Sequence, residues 1–218
     1  MNRKPVVGVI GAIGAGKSTV ARRFEELGGK LINGDAVGHL VLKEPAIKSK
    51  IVDTFGQGVL NESGEIDRKK LGGVVFSDPL SLQTLERIMH PRMKEIFAEE
   101  IAAAQKDPAV KLVVFDAAVL LEAGWGDMMD FVLYVDADRA SREERVRARG
   151  WSPAELARRE AAQWPAERKM AHADVVINND FWEARRWEVD ALFRRWTAPE
   201  RTTSIDEQEL AAVNLKDD

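Results

Sequence analysis

The 218-residue chain has no cysteine, which excludes disulfides, thiolate metal sites and cysteine nucleophiles. The lack of cysteine also leans the expected location toward a reducing, cytoplasmic compartment. There is no excess of positive charge: 32 Lys and Arg stand against 36 Asp and Glu, for a net charge of −4. Such a balance does not hold nucleic acid by bulk electrostatics, so no nucleic-acid partner is expected and any bound anion must be held by a local cluster. No apolar run approaches the ~20 residues that a membrane span requires, so no membrane partner is expected either. Asn2-Arg3-Lys4 ahead of Val6 has the look of a signal peptide's start, but Gly8, Gly11 and Gly14 interrupt the apolar stretch that would follow. What remains is 45% hydrophobic and 31% charged, enough for one globular α/β domain.

Along the chain, Val6–Ile10 is a short β-branched run that ends in glycines, the form of a buried parallel strand. Lys17–Leu27 has helical apolar spacing and stops at Gly28-Gly29, and Leu31-Ile32 reads as a second strand. From Ala36 to Lys106 only helical patterns occur, around Pro45–Phe55, Asp67–Val75, Pro79–Met89 and Pro91–Gln105. Strands return at Leu112–Phe115, Phe131–Val135 and Val175–Ile177. Alternation of this kind predicts a three-layer α/β fold with a five-stranded parallel sheet, because parallel strands need crossovers. The expected division is a core of residues 1–35, 107–140 and 173–196, a helical insertion at 36–106, an arginine-rich lid at 141–172 and a polar, acidic tail at 197–218, expected to be loosely ordered.

Gly11-Ala12-Ile13-Gly14-Ala15-Gly16-Lys17-Ser18 matches G-x-x-x-x-G-K-[ST] at every defined position. A buried strand precedes it and a helix follows, which is the context the motif requires. Backbone N–H groups of such a loop turn inward and cradle phosphate oxygens at a helix N-terminus. The expected ATP-binding set is Gly14, Ala15, Gly16, Lys17, Ser18 and Thr19, with Lys17 at the β/γ-phosphates and the Ser18 hydroxyl on Mg²⁺.

The marks of rival nucleotide-binding classes are missing. There is no Asn/Thr-Lys-x-Asp to read guanine and no Leu-Ser-Gly-Gly-Gln. Leu112–Asp116 is followed by Ala117 rather than by the Glu that activates water in many ATPases. A short chain with a helical insertion and an arginine-rich lid points to a P-loop small-molecule kinase: an ATP-dependent phosphotransferase with an alcohol acceptor.

Asp116 ends a strand near the phosphate loop and reads as a Mg²⁺ ligand or as a turn residue. Asp35 follows the second strand and reads equally as the base for an acceptor hydroxyl or as part of an Asn-Gly-Asp turn. Arg142, Arg145 and Arg149 fall at i, i+3 and i+7 of one predicted helix, with Arg147 off that face. Contact with a triphosphate explains so close a set of like charges, and a solvated face is the alternative.

Together these residues resemble the dephospho-CoA kinase family, from about Val6 to about Trp196. Ile10–Val20 is similar to the family's opening loop, and Ile32-Asn33-Gly34-Asp35 to its Ile-Asp-Ala-Asp segment. Gly64-Glu65-Ile66-Asp67-Arg68-Lys69-Lys70-Leu71 resembles Gly-x-Leu-Asp-Arg-x-x-Leu, followed by Val75-Phe76 and His90-Pro91. Asp116 with Leu120-Leu121-Glu122 resembles Asp-x-Pro-Leu-Leu-Phe-Glu. Arg145, Arg149, Arg159, Gln163, Lys169 and Ala173–Asn179 resemble the lid and last strand.

The resemblance implies ATP and dephospho-CoA as substrates and Mg²⁺ as the metal, held by Ser18 and Asp116. It implies Asp35, Lys17 and Arg145 as catalytic residues and Arg145 and Arg149 on the ATP. Asp35, His39, Arg68 and Leu120 are expected at the acceptor. Asn33 for the first aspartate, Ala12 for a loop glycine and Ala118 for a proline depart from the pattern. A kinase for another small acceptor, or a nucleotide-binding regulatory protein without turnover, stays open on the residues alone.

Overall fold

The computed structural model describes residues 3–198, so the tail expected at 197–218 lies outside the described residues except for Thr197 and Ala198. By contacts the chain divides into two compact units, Asn33–Glu100 and the remainder. The larger unit is built on strands β1 (Val6–Gly11), β2 (Gly29–Asn33), β3 (Leu112–Asp116), β4 (Phe131–Asp136) and β5 (Val175–Asn178). They form one sheet in the order β2-β3-β1-β4-β5, in which β1 runs parallel to β3 and β4, and β4 to β5.

All six residues of β1 and all five of β3 are buried, as strands covered on both faces should be. Val7 and Val9 face a core shared with Val20 and Phe24 of helix α1 (Lys17–Glu26) and with Val189, Leu192 and Phe193 of the helix that follows the last strand. On the other face, Leu120 and Met129 close so tightly on Gly8 that an added Cβ would stand 2.8 Å from the Leu120 Cδ1. Beyond β4 come α6 (Arg139–Arg147), α7 (Pro153–Ala161) and α8 (Ala166–Ala171), and α9 (Trp182–Thr197) follows β5.

The unit Asn33–Glu100 holds α2 (Gly34–Val41), α3 (Pro45–Phe55), α4 (Arg68–Val75) and most of α5 (Pro79–Lys106). Two helices were expected across 79–105, divided at Pro91. One continuous helix forms instead, with Pro91 inside it. Proline costs one backbone hydrogen bond and a clash with the preceding turn, but 28 residues of continuous helix carry that local loss. Helix α2, whose apolar positions Val37 and Val41 are buried, was not among the elements expected.

Candidate active site

The loop between β1 and α1 is where the geometry concentrates. Gly16 caps α1 with φ 93°, a conformation that favours glycine, and an added Cβ there would stand 2.0 Å from the Asn179 Nδ2. The first turn of α1 carries no acidic residue, so the positive end of the helix dipole is not offset locally.

Every carbonyl from Gly11 to Gly16 is taken by a donor. Lys17 Nζ donates to Gly11 O and Ala12 O, both at 3.1 Å. Arg142 Nη1 donates to Ile13 O at 3.3 Å. Arg145 Nη1 donates to Gly14 O at 3.2 Å and to Ala15 O at 3.1 Å, and Asn179 Nδ2 donates to Ala15 O at 2.8 Å. Gly16 O accepts from Thr19 N–H at 2.9 Å, inside the helix that the loop opens. In a trans peptide the N–H points opposite to the C=O. The N–H groups of Gly14 and Gly16 are therefore turned away from the side chains that hold Ile13 O and Ala15 O, which is the geometry of an anion cradle.

Ser18 Oγ donates to Asp116 Oδ2 at 2.9 Å, bringing the loop's hydroxyl and the buried carboxylate at the end of β3 together. No group of three His, Cys, Asp or Glu side chains that could hold a metal occurs among the described residues. A hydroxyl and one carboxylate, with phosphates and water completing the shell, is nevertheless how Mg²⁺ is ordinarily bound beside a nucleotide. The donor set therefore fits Mg²⁺.

The arginine-rich segment is tied to the same loop. Ile13 packs with Val146 of α6, Leu156 of α7 and Trp151 between them. Glu160 of α7 accepts from both Arg139 and Arg142. Burial pushes its carboxyl up, but these two guanidinium groups more than offset that and hold it below the usual carboxylate range. Ala12, Ile13, Tyr134, Arg142, Glu160 and Lys169 are among the residues lining a cavity of about 120 Å³. Lys169, fully buried, donates to Ala118 O at 2.8 Å and Gln163 Oε1 at 3.0 Å, and pairs with Glu122 at 2.8 Å. The segment after β3 is thereby fastened to the α7–α8 turn.

Two expectations fail here. Arg149 was expected to share a helix face with Arg142 and Arg145, but α6 ends at Arg147 and Arg149 is exposed in the turn beyond. Gly150, at φ 80°, closes that turn, with Gly150 N–H bonded to Arg147 O and Trp151 N–H to Val146 O, a helix stop of the Schellman kind. Leu120 was expected at the acceptor, but its side chain is 0% exposed and packs on Gly8 inside the sheet's core. Trp151 and Trp164 lie under Arg159 and Arg168, at 4.2 Å and 3.4 Å from guanidinium carbon to ring centroid.

The second unit carries the remaining candidates. Asn33 caps α2, its Oδ1 accepting from Ala36 N–H at 2.8 Å, so asparagine does here what an aspartate in its place would do. Asp35 is exposed in the first turn of α2. His39, Leu42, Lys43, Glu65, Ile66 and Arg68 line a cavity of about 420 Å³. His39 and Arg68 are thus brought together, with Lys43 as a second cation that sequence reasoning missed. Its spacing of four from His39 was the available signal. Burial, and then the Arg68 charge, hold the His39 imidazole below its ordinary value, so it is neutral at pH 7.

A family model described as dephospho-CoA kinase matches residues 5–183. The chain belongs to the dephospho-CoA kinase family. A dephospho-CoA kinase from Geobacter sulfurreducens is 40% identical over 177 residues, covering 80% of this chain and 89% of that one. One from Dehalococcoides mccartyi is 36% identical over 176 residues, covering 80% and 88%. The crystal structure of TT1252 from Thermus thermophilus superposes with a TM-score of 0.76 at 31% identity, covering 89% of this chain and 98% of that one. Membership makes the chain a P-loop kinase with ATP as its co-substrate. The match includes Lys17, Ser18, Asp35, Asp116, Arg145 and Asn179.

Proposed function

We propose that the protein transfers the γ-phosphoryl group of ATP to the 3′-hydroxyl of dephospho-CoA, giving coenzyme A and ADP. The observation that carries this reading is the phosphate loop, with each carbonyl tethered and Ser18 bonded to Asp116, in a chain of this family. Loop N–H groups and Lys17 hold the triphosphate, and Arg145 acts beside them. Ser18 and Asp116 hold Mg²⁺, which when bound neutralises charge on the phosphate oxygens.

The acceptor oxygen attacks the γ-phosphorus while the bond from that phosphorus to the β-phosphate bridging oxygen breaks. The hydroxyl proton passes to the Asp35 carboxylate. Support for Asp35 is its place just after a sheet strand and the resemblance of Asn33-Gly34-Asp35 to the family segment. His39, Lys43 and Arg68 offer two permanent cations and a neutral hydrogen-bonding ring to an anionic acceptor. Little covalent chemistry falls to the protein. Positioning and charge stabilisation do most of the work in phosphoryl transfer.

The test is ADP release with dephospho-CoA compared with a nucleoside monophosphate, shikimate and no acceptor. Release that depends on dephospho-CoA is expected. Release with another acceptor alone would redirect the substrate, and tight ATP binding with no turnover would make the protein a nucleotide-binding partner instead.

A further inference from the structure

Asn179 lies just beyond β5 and is 4% exposed, yet no part of the phosphoryl-transfer chemistry requires it there. Three of its polar groups are committed. Its N–H donates to Asp136 O at the end of β4 at 2.8 Å, its carbonyl accepts from Arg145 Nη2 at 2.7 Å, and its Nδ2 donates to Ala15 O at 2.8 Å. The Oδ1 atom is buried and has no hydrogen-bond partner among the described residues. An orphaned buried carbonyl costs stability, so the amide sits where the Nδ2 bond is made at the expense of the other end.

Arg145 completes the arrangement. One edge of its guanidinium holds Gly14 O and Ala15 O while another donor holds the Asn179 carbonyl. These bonds join the end of β5, α6 and two successive peptide units of the phosphate loop. A bare glycine-rich loop has many backbone conformations open to it, and fixing each residue costs conformational entropy. A loop whose carbonyls are already pulled back does not pay that cost when phosphate arrives.

We infer that Asn179 and Arg145 are positioning residues that pre-organise the phosphate loop, acting on the nucleotide's phosphates through the Gly14 and Ala15 carbonyls. The inference rests on the phosphate-loop reading above. It gives Arg145 a role as a fork that braces backbone, beyond that of a charge near the triphosphate. The Lys side chain is a point charge and cannot reproduce a fork, so the two roles separate experimentally.

The probe is inorganic tripolyphosphate with Mg²⁺, which has phosphates and no base, measured beside ATP by calorimetry on the full chain. Asn179→Ala is expected to weaken both ligands by a similar factor of about tenfold, the value of one net hydrogen bond. Its melting temperature should stay near wild type, whereas a merely structural residue would lower melting and leave the folded fraction's affinity intact. Arg145→Lys, the second variant should Asn179→Ala fold poorly, is expected to lose nearly as much tripolyphosphate affinity as Arg145→Ala. Unchanged tripolyphosphate affinity in Asn179→Ala, or near-complete rescue by Arg145→Lys, would overturn the inference. A wild-type protein that binds neither ligand, or a Lys17→Ala variant that binds both normally, would remove the phosphate-loop reading and the inference with it.

Discussion

The Ser18 hydroxyl and the Asp116 carboxylate are 98 residues apart in sequence and 2.9 Å apart in the folded chain. One comes from the first turn of α1 and the other from the end of β3, so the contact exists only once the sheet has formed. A hydroxyl bonded to a buried carboxylate is an oxygen pair ready to be shared with a hard cation. Asp116→Asn keeps the shape and removes the charge. The Mg²⁺ concentration for half-maximal activity should rise on the order of 10-fold or more, with little change in the fold. An unaltered Mg²⁺ dependence would take Asp116 out of the metal site.

Lys17 bridges Gly11 O and Ala12 O across the loop it serves. Lys17→Ala should lower kcat/KM by at least ~10², because the lost charge acts on developing negative charge at the transferred phosphoryl group. Circular dichroism should show an intact fold. Near-normal turnover in that folded variant would contradict the assignment.

Asp35 and Asn33 separate chemistry from architecture. Asp35→Asn removes a proton acceptor from an exposed position, so kcat should fall by about 10²–10⁴ with ATP affinity nearly unchanged. Asn33→Ala removes the α2 cap and should cost about 1 kcal/mol of stability with kcat close to wild type. Full activity of Asp35→Asn towards dephospho-CoA would remove it from the mechanism.

The cavity in the smaller unit predicts a titration. Burial and Arg68 lower the His39 pKa from its ordinary 6.5, so as pH falls the unfolded chain takes the proton first. The stability this group contributes is therefore full above about pH 6.5 and is lost as pH drops through the folded value. Arg68→Met should raise the His39 pKa part of the way back, since burial remains. Titration of the three histidines by NMR resolves it, and a His39 pKa that stays put or falls would contradict the placement of Arg68 beside it.

Much of this was legible in sequence for identifiable reasons. The strands are short apolar runs, β1 ending in glycine, and the phosphate loop needs its residues consecutively. Asn179 was not legible as a loop brace, because it stands 164 residues from the carbonyl it holds and nothing local marks it. Arg149 misled because periodicity was extended past Arg147, where α6 gives way to the turn that Gly150 closes in a left-handed conformation. Leu120 misled because a motif position says nothing of which way a side chain turns, and this one fills the space that Gly8 leaves. Pro91 misled because a local rule was applied to a long helix that overrides it.

The most direct test of the central claim follows the phosphorus. Incubation with dephospho-CoA and ATP labelled in the γ-phosphoryl group should place the label on the ribose 3′-oxygen of coenzyme A, with ADP released in equal amount. Label appearing only in inorganic phosphate, or on another oxygen of the acceptor, would contradict it.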